Sequence, residues 1–272
     1  MDAVLEEIEF LALSANRVAV LDALRGGTHT RVDLEAETGA SQPTLGRILR
    51  DFGERNWTER TADGYALTAT GRLIADGITD LRAIVETELK LRDVVEWLPA
   101  DALTFDLLAL RDATITVPTR TRPSAPLRRS TGLIGRAGRV RIVSHTFNER
   151  SLEAVRRRTV EGDGAQSFEA AFSREAIDAL AEDDDLRDRL VAVLESDAAE
   201  IRVCDDAVPF AVTITEDVVQ LLLRDDDGVL QAALESDDEG VRSWAREVFD
   251  RYWRDATPLA IDALESGGEG DS

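Results

Sequence analysis

Apolar residues return at helical spacing from Asp2 to Leu24, at Leu5, Ile8 and Leu11 and again at Val18, Leu21 and Leu24. Ser14-Ala15-Asn16 divides or bends this stretch, and Arg25-Gly26-Gly27 ends it, glycine being the residue that accepts a left-handed stop. A short helix is predicted from Arg31 to Thr38, stopped by Gly39, and a third from Gln42 to Arg55. Ser41 is placed to cap that third helix, and Pro43 falls in its first turn, where a missing amide hydrogen costs nothing. Leu45, Ile48, Leu49 and Phe52 form its inward stripe, which leaves Gln42, Thr44, Arg47 and Arg50 facing out. Beyond it, Trp57 to Thr61 and Tyr65 to Thr68 flank Ala62-Asp63-Gly64. Asp-Gly between two strand-like runs signals a hairpin, because a primed turn needs positive φ.

The pattern then changes twice. From Ala69 to Leu98 the chain lacks proline and carries Ile74, Ile78, Leu81, Val85 and Leu89 at spacings of three or four, which predicts a long helix stopped by Pro99. Its apolar seam calls for a partner, either a second copy of the chain or its own second domain. After Pro99, strands are predicted at Val140–Ser144, Gln166–Phe172, Ile201–Val203, Ala211–Ile214, Val218–Leu223 and Val229–Ala233. They alternate with helices near Asn148–Arg158, Glu175–Ala181 and Leu186–Ser196, and an amphipathic helix from Gly240 to Tyr252 closes the series. Strands alternating with helices and ending in hairpins imply a mixed sheet. The expected architecture is therefore α/β overall: a winged helix-turn-helix over 1–75, a linker or dimerisation helix over 76–98, a second, α/β mixed-sheet domain over 99–257, and a flexible acidic tail over 258–272.

Composition narrows the classes. The chain has 272 residues and a formal charge of −22, and Lys90 is the only lysine among 32 basic residues. So acidic and arginine-biased a composition resembles the proteins of halophilic archaea, whose charge maintains solubility where molar salt screens repulsion to about 3 Å. Residues 1–75 carry 12 acids against 8 arginines, so most of the negative charge lies outside the first domain. One cysteine, Cys204, and two histidines, His29 and His145, exclude an intramolecular disulfide and the usual zinc constellations, and no metal or cofactor is expected. The acidic opening and the absence of a long apolar run point to a cytoplasmic protein without a membrane span.

Short helix, tight turn, longer helix and hairpin, in that order, is the layout of a winged helix, whose second helix enters a DNA major groove. Glutamine pairs with adenine, arginine with guanine, and threonine touches the thymine methyl, so Ser41, Gln42, Thr44, Arg47 and Arg50 have the chemistry for reading double-stranded DNA. Arg31 ahead of them and Arg60 on the wing complete the candidate interface. The bland reading of Arg47 and Arg50 is surface charge paired with Asp51 and Glu54, and the rival function is a winged helix that binds protein instead of DNA.

Residues from about Leu5 to Ala75, including the runs Ser41 to Leu49 and Tyr65 to Leu73, resemble the archaeal winged-helix regulators. The later chain resembles the effector domain of methanogenesis-regulator-type proteins and, more distantly, the phospholipase-D-like sensor domains of archaeal sugar-operon regulators. The residues that carry this likeness are Ala113 to Pro118, Pro123 to Arg129 and Arg139 to His145. What the likeness implies is a homodimeric DNA-binding transcription regulator under the control of an effector, and not an enzyme. Phospholipase D chemistry needs a His-x-Lys-x4-Asp motif, whereas His145 is followed by Thr146 and Phe147 with no lysine nearby.

Charge within the second domain is uneven. Arg111 to Arg158 holds 12 arginines against 3 acids, while residues 159–272 hold 9 arginines and 31 acids. Either the two stretches neutralise each other, or some of Arg120, Arg122, Arg128, Arg129 and Arg141 line a site for a small anionic metabolite, since guanidinium grips carboxylate and phosphate bidentately. Ligands of open α/β sheets sit beyond the carboxyl ends of strands, which places His145 at the expected pocket.

Overall fold

A computed structural model of the chain describes residues 2–162 and 166–265. The chain divides into two compact units, Met1–Glu86 and Thr87–Ser272. The first opens with α1 (Ala3–Ala12) and α2 (Ala15–Arg25), separated at Ser14 as the sequence suggests. Then follow α3 (Arg31–Thr38), α4 (Gln42–Glu54), the hairpin β1 (Thr58–Thr61) and β2 (Gly64–Leu67), and α5 (Ala69–Leu91). Its core gathers Leu21, Leu24, Leu34, Leu45, Ile48, Phe52 and Trp57. Phe10 meets Phe52 and Trp57 edge-on at 6.4 and 6.0 Å. The guanidinium groups of Arg17 and Arg55 each lie 3.8 Å from the centre of the Phe10 ring.

Two local features differ from expectation. The turn of the hairpin is Ala62-Asp63, with Thr61 paired to Gly64, and Asn56 is the only non-glycine with positive φ among the described residues. No primed turn forms. Gly64 is needed for another reason, since its φ is +138° and a Cβ there would sit 2.4 Å from the His29 carbonyl oxygen. That close approach lets His29 and Tyr65 exchange backbone hydrogen bonds of 3.0 and 2.9 Å, which adds a third extended segment to the wing.

The second difference is the end of α5 at Leu91 instead of Leu98. Leu91, Val94 and Leu98 are 4%, 1% and 7% exposed, and all three enter the core of the second unit by way of a short 3-10 turn at Val95–Trp97. Burying each such side chain gains roughly 1.5–3 kcal/mol. A residue's helix propensity is worth at most about 0.7 kcal/mol, so burial decides the path.

In the second unit, 3-10 turns at Ala100–Ala102 and Leu107–Leu110 precede β3 (Thr114–Thr116), α6 (Ala125–Arg136), β4 (Arg139–Ser144) and α7 (Glu149–Arg156). A π-helical turn at Arg157–Glu161 leads toward β5 (Ser167–Ser173), α8 (Arg174–Ala181), α9 (Asp184–Leu194) and β6 (Ala199–Cys204). The chain finishes with β7 (Ala211–Ile214), β8 (Val219–Arg224), β9 (Leu230–Ser236), α10 (Glu239–Asp255), β10 (Thr257–Pro258) and α11 (Ile261–Glu265). The eight strands form one mixed sheet in the order β10-β6-β5-β4-β7-β8-β9-β3, in which β4, β5 and β6 run parallel and the other pairings are antiparallel. The mixed α/β class read from the sequence holds.

Both faces of this sheet are buried, as a sheet with parallel strands requires. Val143, Val212, Leu221 and Leu234 pack toward Val241, Trp244, Val248 and Phe249 of α10, while Val140, Ile142, Phe168 and Phe172 pack with residues of α6 to α9. The sequence reading lacked α6, which prolines at 123 and 126 and glycines at 132 and 135 disguise. It is held by burial of Pro126, Ser130, Leu133 and Ile134, a helical spacing. The flexible tail expected over 258–272 is not flexible in its first part: Pro258 pairs with Arg202, Leu259 donates to the Ile201 carbonyl at 2.9 Å, and Leu264 is 3% exposed. The last part of that tail, 266–272, lies outside the described residues.

A Cβ on Gly71 would lie 1.8 Å from the Trp57 carbonyl oxygen, and backbone on both sides leaves little room to adjust. Gly71→Ala is expected to destabilise the first unit by roughly 2–4 kcal/mol. Thermal unfolding followed by circular dichroism should show its transition lowered by about 10 °C or more, whereas Gly77→Ala, with nothing within 4 Å, should leave it in place or raise it.

Candidate functional site

Helix α4 starts from an extended Ser41, whose hydroxyl lies 3.0 Å from that of Thr44 instead of capping a backbone amide. Its inner stripe of Leu45, Ile48, Leu49 and Phe52 is 0–4% exposed, which turns Arg47 and Arg50 to solvent. The first turn is braced against α3. The Arg31 guanidinium donates to the Gln42 carbonyl, and the Gln42 side-chain nitrogen donates back to the Arg31 carbonyl at 3.0 Å and to Glu35 at 2.7 Å. These bonds join residues 7 and 11 apart in sequence and set the angle between the two helices. Arg31 and Gln42, counted at the outset among base-reading residues, are thus committed to holding the helix pair.

The remaining basic residues are differently placed. Arg47, Arg50 and Arg60 are exposed and have no carboxylate partner among the described residues. Asp51, the expected neutraliser, faces Arg17 at 3.8 Å, and its carbonyl accepts from Arg55. Arg60 stands on β1 opposite Tyr65. The helix and wing therefore offer three unpaired guanidinium groups, with Thr44 half-buried at the helix start.

The arginine-rich stretch of the second unit does not converge on one pocket. Arg120 and Arg122 are exposed in a turn closed between Thr119 and Arg122, and Arg128 is exposed on α6. Arg129 is gripped by Glu235 through bonds of 2.7 and 2.6 Å, and Gln220 donates to the same carboxylate at 2.8 Å. Arg141 projects from the opposite face of the sheet, where it meets Glu169 at 2.6 Å and Asp250 at 3.9 Å and lies 4.9 Å from the Phe249 ring centre. For Arg129 and Arg141, mutual neutralisation of the basic and acidic stretches is what the fold displays.

His145 stands at the carboxyl end of β4, half-buried, and burial holds its pKa below the ordinary histidine value, helped by the nearby Arg224 and opposed by the Phe210 carbonyl and Glu175. Arg224 was not singled out in the sequence, where it reads as the start of the turn Arg224-Asp225-Asp226-Asp227-Gly228. It is half-buried, its pKa is lowered by desolvation, and its Nη2 contacts the Thr146 hydroxyl at 3.3 Å. Among the described residues no group of histidine, cysteine and carboxylate side chains could hold a metal ion, and no helix is long and apolar enough to cross a membrane.

Family comparison agrees with this division. Residues 123–255 match the middle domain of the methanogenesis regulatory protein FilR1, and residues 5–90 match the HVO_A0261 N-terminal domain. The resemblance to archaeal regulators that the sequence suggested is borne out for both parts. No curated protein sequence matches the chain. Among solved structures, the chain is similar to TrmBL2, an archaeal chromatin protein, with 14% identity over 92% of this chain and 96% of that one and a TM-score of 0.41. It is also similar to Nuc, a phospholipase D family member from Salmonella typhimurium, with 10% identity over 54% of this chain and 98% of the other and a TM-score of 0.42. NucT from Helicobacter pylori gives 12% identity over the same shares and a TM-score of 0.39. At this level the likenesses assign no residue a role.

Glu235 is 5% exposed, so removal of its arginine strands a buried carboxylate. Arg129 is itself 45% exposed, and solvent screening reduces the effect. Arg129→Met should cost roughly 1–2 kcal/mol in urea unfolding, and adding Glu235→Leu together with Gln220→Leu, whose side chain donates to the same carboxylate, should recover much of it; no loss in Arg129→Met would show the contact to be energetically idle.

Proposed function

We propose that the chain is a DNA-binding transcription regulator that works as a homodimer, with α4 and the wing on the duplex and the second unit as its effector domain. The observation that carries the reading is the set of unpaired, exposed guanidinium groups of Arg47, Arg50 and Arg60 on the recognition helix and wing. In a protein whose arginines so often sit against carboxylates, three left open on this surface suit phosphate oxygens and guanine edges. The family description of FilR1 as a regulatory protein supports the same reading. Arg31 and Gln42 serve by positioning, since the brace between them aims the helix that carries Thr44, Arg47 and Arg50.

Dimerisation has its own support. Leu81, Ile84 and Val85 on α5 are 44%, 53% and 45% exposed, and Leu5 and Ile8 on α1 are 59% and 43% exposed. In the first unit a groove of about 670 Å³ runs along Ala15, Val18, Ala19, Ile78, Leu81 and Val85. An apolar surface of this kind is favoured only when covered, and a second copy of the same helix covers it while presenting two recognition helices to a palindrome.

The first test measures fluorescence anisotropy on DNA from upstream of the protein's own gene, in buffered potassium chloride. Arg47→Ala and Arg50→Ala should each weaken binding about tenfold with unchanged melting temperature. Gln42→Ala should instead lower the melting temperature of the first unit. Unaltered binding in both arginine variants would sink the DNA-reading role and favour a protein-binding winged helix. The second test is light scattering: the wild type should run at twice the chain mass of 29.8 kDa, and Leu81→Glu with Val85→Glu at the chain mass. A wild type that runs as a single chain would remove the dimer.

A further inference from the structure

Seven side-chain polar atoms among the described residues are buried with no hydrogen-bond partner, and two of them, His145 Nδ1 and Arg224 Nε, belong to side chains near enough for the charge of Arg224 to act on His145. Strand β8 lies two places from β4, with antiparallel β7 between them, so β4 and β8 end at the same edge of the sheet. His145 follows the last residue of β4, and Arg224 is the last residue of β8. Thr146 joins them through its hydroxyl, 3.3 Å from Arg224 Nη2.

Arg129, Arg141, Arg156, Arg189 and Arg202 all have carboxylate partners, but none lies within ion-pairing distance of Arg224 among the described residues. Its neighbour Asp225 is occupied elsewhere, accepting from the Asp227 and Val229 amides at 3.1 and 2.8 Å and from the Gln231 side chain at 2.5 Å. Arg224 Nη1 is satisfied by the Gly228 carbonyl at 2.6 Å, which holds the guanidinium in place and leaves Nε open. A fixed, half-desolvated cation with no carboxylate in ion-pairing contact and only the more distant attraction of Asp225, next to an unsatisfied imidazole nitrogen and a hydroxyl, is complementary to an oxyanion.

We propose that His145, Thr146 and Arg224 bind a small oxyanion, the phosphate or carboxylate group of a free metabolite, and that this group is the effector of the regulator. Only the second clause rests on the regulatory reading above. The bound anion would accept from Arg224 Nε and the Thr146 hydroxyl and would favour protonation of His145 at Nδ1. The charged groups facing that imidazole are Arg224 from β8 and Glu175 from α8, with the Phe210 carbonyl as its polar backbone neighbour. Free His145 is held neutral below its ordinary titration range, and an anion raises its pKa. Binding should therefore take up a proton and tighten as pH falls through the raised pKa of anion-bound His145 towards its lower free value.

The test titrates full-length protein with sodium sulfate, which does not change protonation over this range, and separately with phosphate and with malonate. Arginine Nε–H signals are followed by nuclear magnetic resonance. One Nε–H signal should shift and saturate, disappear in Arg224→Lys, and respond several-fold more strongly at about pH 5.5 than at about pH 8. His145→Gln should keep the signal and flatten that pH dependence. The preferred anion of the three separates a phosphate from a carboxylate ligand. If no Nε–H signal moves at about 50 mM of any anion, or if the shift persists in Arg224→Lys, the site is overturned; should Arg224→Lys not fold, an unflattened pH profile in His145→Gln overturns it. Anion binding at Arg224 with unchanged operator affinity would leave the site standing and remove its role as effector, while loss of the site leaves DNA binding by Arg47 and Arg50 unaffected.

Discussion

A guanidinium taken out of water must be met by a carboxylate, a carbonyl oxygen or an anion, and much of this molecule is arranged around that requirement. The basic side of the chain is almost entirely arginine, whose charge is not relieved by deprotonation. Arg129 therefore reaches Glu235, Arg141 reaches Glu169, and Arg31 is met by the carbonyl of Gln42. Where the fold provides no such partner, the arginine is either fully at the surface, as with Arg47, Arg50 and Arg60, or held half-buried with no carboxylate in ion-pairing contact, as with Arg224. Both places where binding is assigned draw on arginines of these two kinds, although others, such as Arg120, Arg122 and Arg128, are equally exposed.

The same requirement links the architecture of the first unit to its task. The brace between Arg31 and Gln42 consumes two polar side chains that would otherwise face solvent, and it fixes the opening turn of α4 against α3. Gly64 allows the wing to approach the His29 backbone, and Gly71 allows α5 to pass the Trp57 carbonyl. Recognition surfaces of this kind gain from rigid support, because side chains on a fixed helix lose less freedom when they meet a ligand.

Much of the fold was legible because its signals are local. The break at Ser14, the stop at Gly39, the stripe of Leu45, Ile48, Leu49 and Phe52, and the strands from β4 to β9 follow from spacing and turn residues. The helix α6 and the strand β3 were hidden, the first by proline and glycine and the second by its three-residue length. Both are stabilised by neighbours far along the chain, β3 through pairing with β9 and α6 through its buried face. In the candidate interface the basic residues were visible, but which of them are free was not. Gln42 and Arg47 look equally available in a helical projection, and only the approach of α3 occupies one of them.

The sequence by itself determined the order of the helices in the first unit and of the strands β4 to β9, the inward faces of α4 and β4, the mixed α/β class and the likeness to archaeal regulators, since each depends on residue types within a few positions of one another. The tertiary structure alone decided which charges cancel. It set Arg129 against a carboxylate 106 residues away, put Arg141 on the other face of the sheet, ended α5 at Leu91 to bury Leu98, and brought Arg224 to the edge where His145 stands. Electrostatic pairing and burial depend on distance through space and on exclusion of water, and neither quantity is written in the spacing of residues along a chain.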